Sequence, residues 1–155
     1  MRSGLICAGF PLLLLLCACP PGDAHQRALS TAAHALGAID ELAASHYASA
    51  HAEALEESES REQYDAEMAP WNRLEDGLRG SRAALLSAQD ALDAWRSTSD
   101  AATFRAALPG LLGSLRAVLG HLGEVGLPVP EELTQALALL EALLGGDNEI
   151  GRAHV

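Results

Sequence analysis

This sequence predicts an all-α fold, an elongated up-and-down bundle of three to four helices behind an N-terminal leader. Apolar residues recur every three or four positions through most of the 155-residue chain, which is the periodicity of helices that bury one face. No stretch shows the strict alternation of a half-buried strand. Clusters of Ser, Gly, Pro and Asp divide the pattern into segments. We therefore expect a bundle at residues 24–146, with coiled-coil-like crossings, and a disordered tail at residues 147–155.

The first helix is expected over residues 24–57, behind a short joint at residues 19–23 in which Asp23 caps the helix. Most of its apolar stripe is alanine, and the stripe consists of Leu29, Ala32, Leu36, Ile39, Ala43, Ala50 and Ala54. Small side chains let a neighbouring helix approach closely, although each contact then buries less apolar area. The acidic run at residues 56–62 interrupts the stripe and ends the helix.

The second helix begins where Ser60 is followed three residues later by Gln63, the pattern of a capping box. Its stripe consists of Tyr64, Trp71, Leu74, Leu78, Leu85, Ala88, Leu92 and Trp95. Pro70 removes one backbone hydrogen bond, which predicts either a kink or a new helix start. Gly77 and Gly80 each cost about 1 kcal/mol relative to alanine in a helix interior, and they indicate a close helix crossing.

Residues 97–100, Ser-Thr-Ser-Asp, are expected to end the second helix and to cap the third. The third stripe keeps one heptad phase through Phe104, Leu108, Leu111, Leu115, Val118, Leu122 and Val125. Because the phase survives Pro109, a single kinked helix is favoured over two helices.

Residues 126–130 form a stop, after which Glu131 and Glu132 occupy the first turn of a fourth helix. Its stripe consists of Leu133, Leu137, Leu140, Leu143 and Leu144. Gly145 and Gly146 are expected to close it.

The leader carries a pattern of its own. Arg2 precedes an apolar run that ends in Leu16-Cys17-Ala18-Cys19. A positive start, an apolar stretch of roughly 7–15 residues and a small residue at the cut are typical of a signal peptide. This segment resembles the start of a bacterial lipoprotein precursor. The resemblance implies a signal peptide at residues 1–18, cleavage between Ala18 and Cys19, and lipidation of Cys19 as the membrane anchor.

Two alternatives for the leader are a transmembrane anchor and a simple secretory signal cut at Ala18 or Ala24. The apolar run is about fifteen residues long, whereas a spanning helix takes ~20 mostly apolar residues. Cleavage before Cys19 would leave one thiol in the mature chain, and lipidation would consume that otherwise unpaired thiol. In a host with two membranes, Pro20 after the lipidated cysteine favours the outer membrane, facing the periplasm, over the inner membrane.

The mature chain is strongly acidic. Loss of Arg2 with the leader would leave nine arginines against 21 acidic residues, a net charge of −12. Such a surface repels nucleic acids and anionic lipid head groups. It favours a cationic protein partner, or it serves only as a solvated helix surface. Glu56, Glu57 and Glu59, together with Trp71 and Trp95, are the candidate partner contacts, although core or cap positions are the alternative for both tryptophans.

We expect no enzyme, cofactor or metal site. The first helix is rich in histidine, but His46 and His51 are five residues apart and point about 140° away from each other at 3.6 residues per turn. No acidic residue stands three positions before a histidine, so the Glu-x-x-His element of di-iron bundles is absent. The acidic run lacks the loop pattern that binds calcium. The sequence also contains no phosphate-binding loop and no nucleophile elbow.

These observations predict a membrane-anchored helical lipoprotein that acts as a non-catalytic protein-interaction or envelope structural module. One alternative is an exported acidic binding or inhibitory module, comparable to immunity proteins. Another is an outer-membrane lipoprotein that takes part in phage lysis. The first alternative rests on an analogy of charge, and the second on the likeness of a small helical lipoprotein.

Lipidation can be tested with a fatty-acid probe supplied to cells that express the protein. The wild type should take up the label and stay with the membrane fraction, because two or more acyl chains give stable attachment. Cys19→Ala should abolish the label. A wild type that is unlabelled and soluble would contradict the prediction.

Overall fold

The structure, a computed structural model, describes the backbone of residues 21–150 and the side chains of residues 23–145. Within this range the chain forms four helices and no strand: α1 (Pro21–Glu57), α2 (Arg61–Thr98), α3 (Ala102–Glu124) and α4 (Glu131–Ile150). The prediction of an all-α chain is confirmed. The signal segment, Ala18 and Cys19 lie outside the described residues, as do residues 151–155.

Helix α1 begins earlier than the sequence pattern predicted. It starts at Pro21, so Asp23 lies in the first turn and is not the N-cap. Proline suits a first turn because the N–H that it lacks would have no partner within the helix. The carboxylate of Asp23 in that turn lies near the positive end of the helix dipole. The expected joint at residues 19–23 is therefore partly helical.

The turn between α1 and α2 has the predicted capping box. The backbone N–H of Gln63 donates to the Ser60 side chain at 3.2 Å. In return, the Gln63 side-chain oxygen accepts a hydrogen bond from the backbone N–H of Glu59 at 3.1 Å, one residue before the expected donor. The helix then runs without a break through Pro70 to Thr98, which excludes a second helix start at the proline.

Helix α3 likewise continues through Pro109, as the unbroken heptad phase predicted. Gly126 ends it with φ of +70°. The Leu127 N–H donates to the Leu122 carbonyl at 2.9 Å, and the Gly126 N–H donates to the Gly123 carbonyl at 3.3 Å. These two bonds make a Schellman motif, which needs a residue in the left-handed region and so favours glycine.

The predicted end of the fourth helix at Gly145 and Gly146 is wrong, since α4 continues to Ile150. A glycine ends a helix where its backbone adopts a left-handed conformation, as Gly126 does, whereas Gly145 keeps helical geometry. Residues 147–150, expected in a disordered tail, are therefore helical.

The four helices form a closed ring of contacts. α1 packs against α2 and α4, and α3 packs against the same two helices. Trp95, near the end of α2, contacts both His25 at the start of α1 and Phe104 at the start of α3. Arg73 in the first half of α2 reaches Glu124 at the end of α3. Successive helices in this part of the chain are therefore antiparallel.

The core lies inside this ring and follows the predicted stripes. Its largest fully buried side chains are Leu29, Ile39, Leu74, Leu92, Phe104, Leu108, Leu111, Leu115, Val118, Leu122, Leu133 and Leu140. Several residues predicted in the stripes are only half-buried: Ala43, Ala50, Tyr64, Trp71, Trp95, Val125, Leu137, Leu143 and Leu144. Burial of this continuous apolar surface is the main stabilising contribution to the fold.

One of the two glycines in α2 marks a close helix crossing. A Cβ at Gly77 would lie 3.1 Å from His121 Cδ2 and 3.4 Å from Val118 Cγ2, so α3 approaches the α2 backbone closely there. A Cβ at Gly80 would meet nothing within 4 Å. The expectation of a close crossing is confirmed for Gly77 and wrong for Gly80, which faces outward.

Leu115→Asp tests the core. Leu115 is fully buried, and a buried charge without a partner costs about 3–5 kcal/mol. We expect this variant to unfold or to melt at a much lower temperature, as measured by circular dichroism. Leu86→Asp is the matched control, because Leu86 is 60% exposed and substitutions at such sites change stability by about 0.5 kcal/mol or less. Equal melting temperatures for both variants would show that the core is misassigned.

Candidate functional site

Helices α1 and α2 extend beyond the other two. They contain 37 and 38 residues, whereas α3 contains 23 and α4 contains 20. The Arg73–Glu124 ion pair marks the level at which α3 ends. Glu41 of α1 and Glu132 of α4 line one shallow cleft and mark the level at which α4 begins. Residues 46–72, here called the hairpin tip, therefore project from the four-helix region by about 18 Å at 1.5 Å per residue.

Aromatic contacts hold the two helices of the hairpin tip together. The ring of Tyr47 packs edge-on against Trp71, with centroids 5.8 Å apart. His51 packs edge-on against Tyr64 at 5.7 Å. Ala54 and Met68 are almost fully buried. Such ring pairs add about 0.5–1.5 kcal/mol beyond the area that they bury, so the tip has a small core of its own.

A groove opens between α1 and α2 where the hairpin tip joins the four-helix region. It has a volume of about 460 Å³, and its lining includes Ala43, Ala44, Tyr47, Ala48, Trp71, Leu74 and Leu78, with Asp40 and Glu75 as its acidic members. Leu74 and Leu78 are buried, whereas Tyr47 is 40% exposed. We call this feature the α1–α2 groove. Its residues span about 12 Å along α1, a little more than two helical turns.

The end of the hairpin tip concentrates negative charge. Between residues 53 and 67, seven acidic residues stand against one arginine, Arg61. Arg61 pairs with Asp65 at 3.7 Å. Among the described residues, no ion pair involves Glu56, Glu57 or Glu59, and all three are exposed. This end of the molecule therefore presents a surface of net negative charge.

The structure brings together some of the predicted contact residues and separates others. Glu56, Glu57 and Glu59 lie together at the end of the hairpin tip, and Trp71 lines the α1–α2 groove. Trp95 is 24 residues further along α2, about 36 Å away. There it stacks on Phe104 at 5.7 Å and meets the edge of His25 at 4.9 Å. The two tryptophans therefore lie far apart, Trp71 at the base of the hairpin tip and Trp95 near the end of α2.

The histidines are placed separately. His34 and His46 are exposed, His25 packs against Trp95 and His51 packs against Tyr64. Within residues 23–145 no group of three His, Cys, Asp or Glu side chains converges in a way that could hold a metal ion.

Tyr47 and Leu55 are surface residues that the sequence analysis missed. Tyr47 is 40% exposed and Leu55 is 59% exposed, so both present apolar surface to solvent on the hairpin tip. A signal for them was present in the unequal lengths of the expected helices. If the third helix is shorter than the first two, part of the first two must lack a neighbour.

None of the helices in the described range is long and apolar enough to cross a membrane. In comparisons with known proteins, no family model matches the chain, and neither a curated protein nor a solved structure is significantly similar to it.

The contact between α2 and the end of α3, at the base of the hairpin tip, can be tested through the titration of Glu124. The hydrogen bond from Arg73 Nε, 3.0 Å long, and the charge of that guanidinium hold the pKa of Glu124 below its ordinary value of 4.5, with a smaller contribution from His121. We expect Arg73→Gln to raise this pKa, measured by NMR of the Glu124 carboxyl carbon. Arg79→Gln should leave it unchanged, because Arg79 pairs with Glu75 and Asp76 instead.

The sign of the linked stability change follows from the direction of the shift. Because the folded-state pKa is lowered, the contact stabilises the fold above the ordinary pKa, and its contribution is lost as the pH falls through the folded value. An equal pKa of Glu124 in wild type and Arg73→Gln would contradict the placement of the end of α3 against α2.

Proposed function

We propose that the chain is an exported lipoprotein whose elongated up-and-down helical bundle follows a cleaved signal peptide and binds a cationic protein partner without catalysing a reaction. The observation that carries this proposal is the hairpin tip, which projects beyond α3 and α4 and carries exposed carboxylates that lack arginine partners. Without a partner those charges keep the surface solvated, at the cost of self-repulsion. A cationic partner would pair its basic side chains with these carboxylates.

The position of the hairpin tip suits a protein anchored at Cys19. Helix α1 begins at Pro21, two residues after the proposed lipid attachment. Its 37 residues reach about 55 Å at 1.5 Å per residue, and the acidic end lies at the far end of that length. An anchor at one end of α1 would therefore present the hairpin tip to partners away from the membrane surface.

Electrostatic contact is expected to act mainly on association. Complementary charges raise the rate at which two proteins meet, and salt reduces this effect because exposed charges are screened beyond ~8 Å at physiological ionic strength. Tethering on the same membrane would also raise the effective concentration of a membrane-associated partner.

Site-specific photo-cross-linking in the native envelope tests this function. We expect a photo-reactive amino acid at Leu55, on the hairpin tip, to yield a defined adduct that decreases as salt is raised. The same amino acid at Leu86 is the matched control, because both leucines are about equally exposed and Leu86 lies outside the tip. Cys19→Ala should lower the yield by removing the anchor.

Charge dependence is tested with two triple variants. Neutralising Glu56, Glu57 and Glu59 to Gln should reduce the adduct severalfold and leave helicity intact. Neutralising Asp90, Asp93 and Glu132, which are exposed outside the hairpin tip, should have a much smaller effect. An adduct that forms equally from position 86, or one that ignores both salt and the tip charges, would contradict a cationic partner at the hairpin tip.

A further inference from the structure

We propose that the α1–α2 groove is the docking site for a cationic amphipathic helix of the partner protein. The proposal rests on the proposed function and adds the surface and the kind of segment that it receives. It joins three properties of the groove: an apolar floor, aromatic rings at one end and uncompensated acidic charge beyond that end.

The floor and walls of the groove fit a helix. Leu74 and Leu78 form a buried apolar floor. On the α1 side, the small side chains of Ala43, Ala44 and Ala48 line the groove and leave room above the floor. Small side chains on one helix let the backbone of another approach closely, and amphipathic helices dock in apolar grooves through residues at spacings of three and four. The groove's length of about 12 Å accommodates two to three such anchor residues.

The aromatic end of the groove favours a basic side chain. Tyr47 meets Trp71 with ring planes at 87°, so the two rings are not stacked on each other, and Tyr47 is 40% exposed. A Lys or Arg side chain placed over an aromatic face gains about 0.5–1 kcal/mol at an exposed site. The carboxylates of Asp40 and Glu75 at the groove already pair with Arg82 and Arg79, so the attraction comes chiefly from residues 53–67.

Charge also decides between possible occupants. A second copy of this chain would bring a net charge of −11 against an acidic surface, and an anionic lipid surface would meet the same repulsion. The seven acidic residues at positions 53–67 begin a little more than one helical turn beyond Ala48. A cationic helix that runs along the groove would therefore extend its charged flank toward them.

The test uses the full protein in phosphatidylcholine nanodiscs, labelled with fluorotryptophan. The probe is a helical peptide of about four turns with leucines on one face and lysines on both flanks, and a peptide with glutamates in place of lysines is its control. We expect the lysine peptide to shift the signal of Trp71, in the groove, and to leave that of Trp95, about 36 Å away along α2, unchanged. The glutamate peptide should shift neither, and added salt should weaken binding.

Two variants separate docking in the groove from general charge attraction. Ala44→Arg places a long side chain in the groove, whereas Ser49→Arg adds the same charge at an exposed position of α1 that does not line it. We expect Ala44→Arg to weaken binding at least about tenfold and Ser49→Arg by about twofold or less. Helicity should be unchanged in both, since both sites are exposed.

Several results would overturn the proposal: equal weakening by the two variants, equal shifts of both tryptophan signals, or binding of the glutamate peptide. A Trp71 signal that depends on protein concentration without peptide would identify a second copy as the occupant, which also overturns it. If the Leu55 adduct forms in the envelope and survives Ala44→Arg, the proposed function stands and the groove is not its docking site.

Discussion

The arrangement of this molecule depends on the difference in length between the helix pair α1 and α2 and the shorter pair α3 and α4. Helices α1 and α2 exceed α3 and α4 by at least 14 residues, so four helices can share a core over only part of the long pair. Where all four are present, leucine, isoleucine, valine and phenylalanine pack around the buried alanines of α1 and α2. Where only α1 and α2 remain, each can bury apolar surface only against the other, and the buried contacts there come from Ala54, Met68 and aromatic rings. The hairpin tip, the α1–α2 groove and the separated acidic end all follow from this difference.

The α2–α3 contact shows how the shared core limits the choice of residues. Gly77 lies under His121 and Val118, and the side chain of Glu124, one turn beyond His121, reaches Arg73. A helix can approach its neighbour this closely only where the neighbour has a glycine, which has no side chain, at the point of contact. The same approach brings the end of α3 against α2 and fixes the level at which the hairpin tip begins.

Much of this fold could be predicted from the sequence because its signals are local. The stripes of α2 and α3, the Ser60–Gln63 capping box and the stop at Gly126 each depend on residues within a few positions of one another. The predictions were wrong where a distant neighbour or a backbone angle determines the structure. Gly80 faces outward because no helix packs against it, and Gly145 does not end α4 because its backbone stays helical. The α1–α2 groove could not be predicted, because it depends on where α3 ends and α4 begins relative to α1.

The small core of the hairpin tip also divides the molecule into two levels of local stability. Segments with few buried neighbours open at a lower free energy than the global unfolding of the domain, and the tip has contacts from one neighbouring helix where the rest has two. A ligand that binds only the closed tip would stabilise it by mass action, while the four-helix region kept its own unfolding equilibrium. We therefore expect the hairpin tip to open and close as a unit while the four-helix region stays folded. A bound ligand would shift this local equilibrium toward the ordered tip.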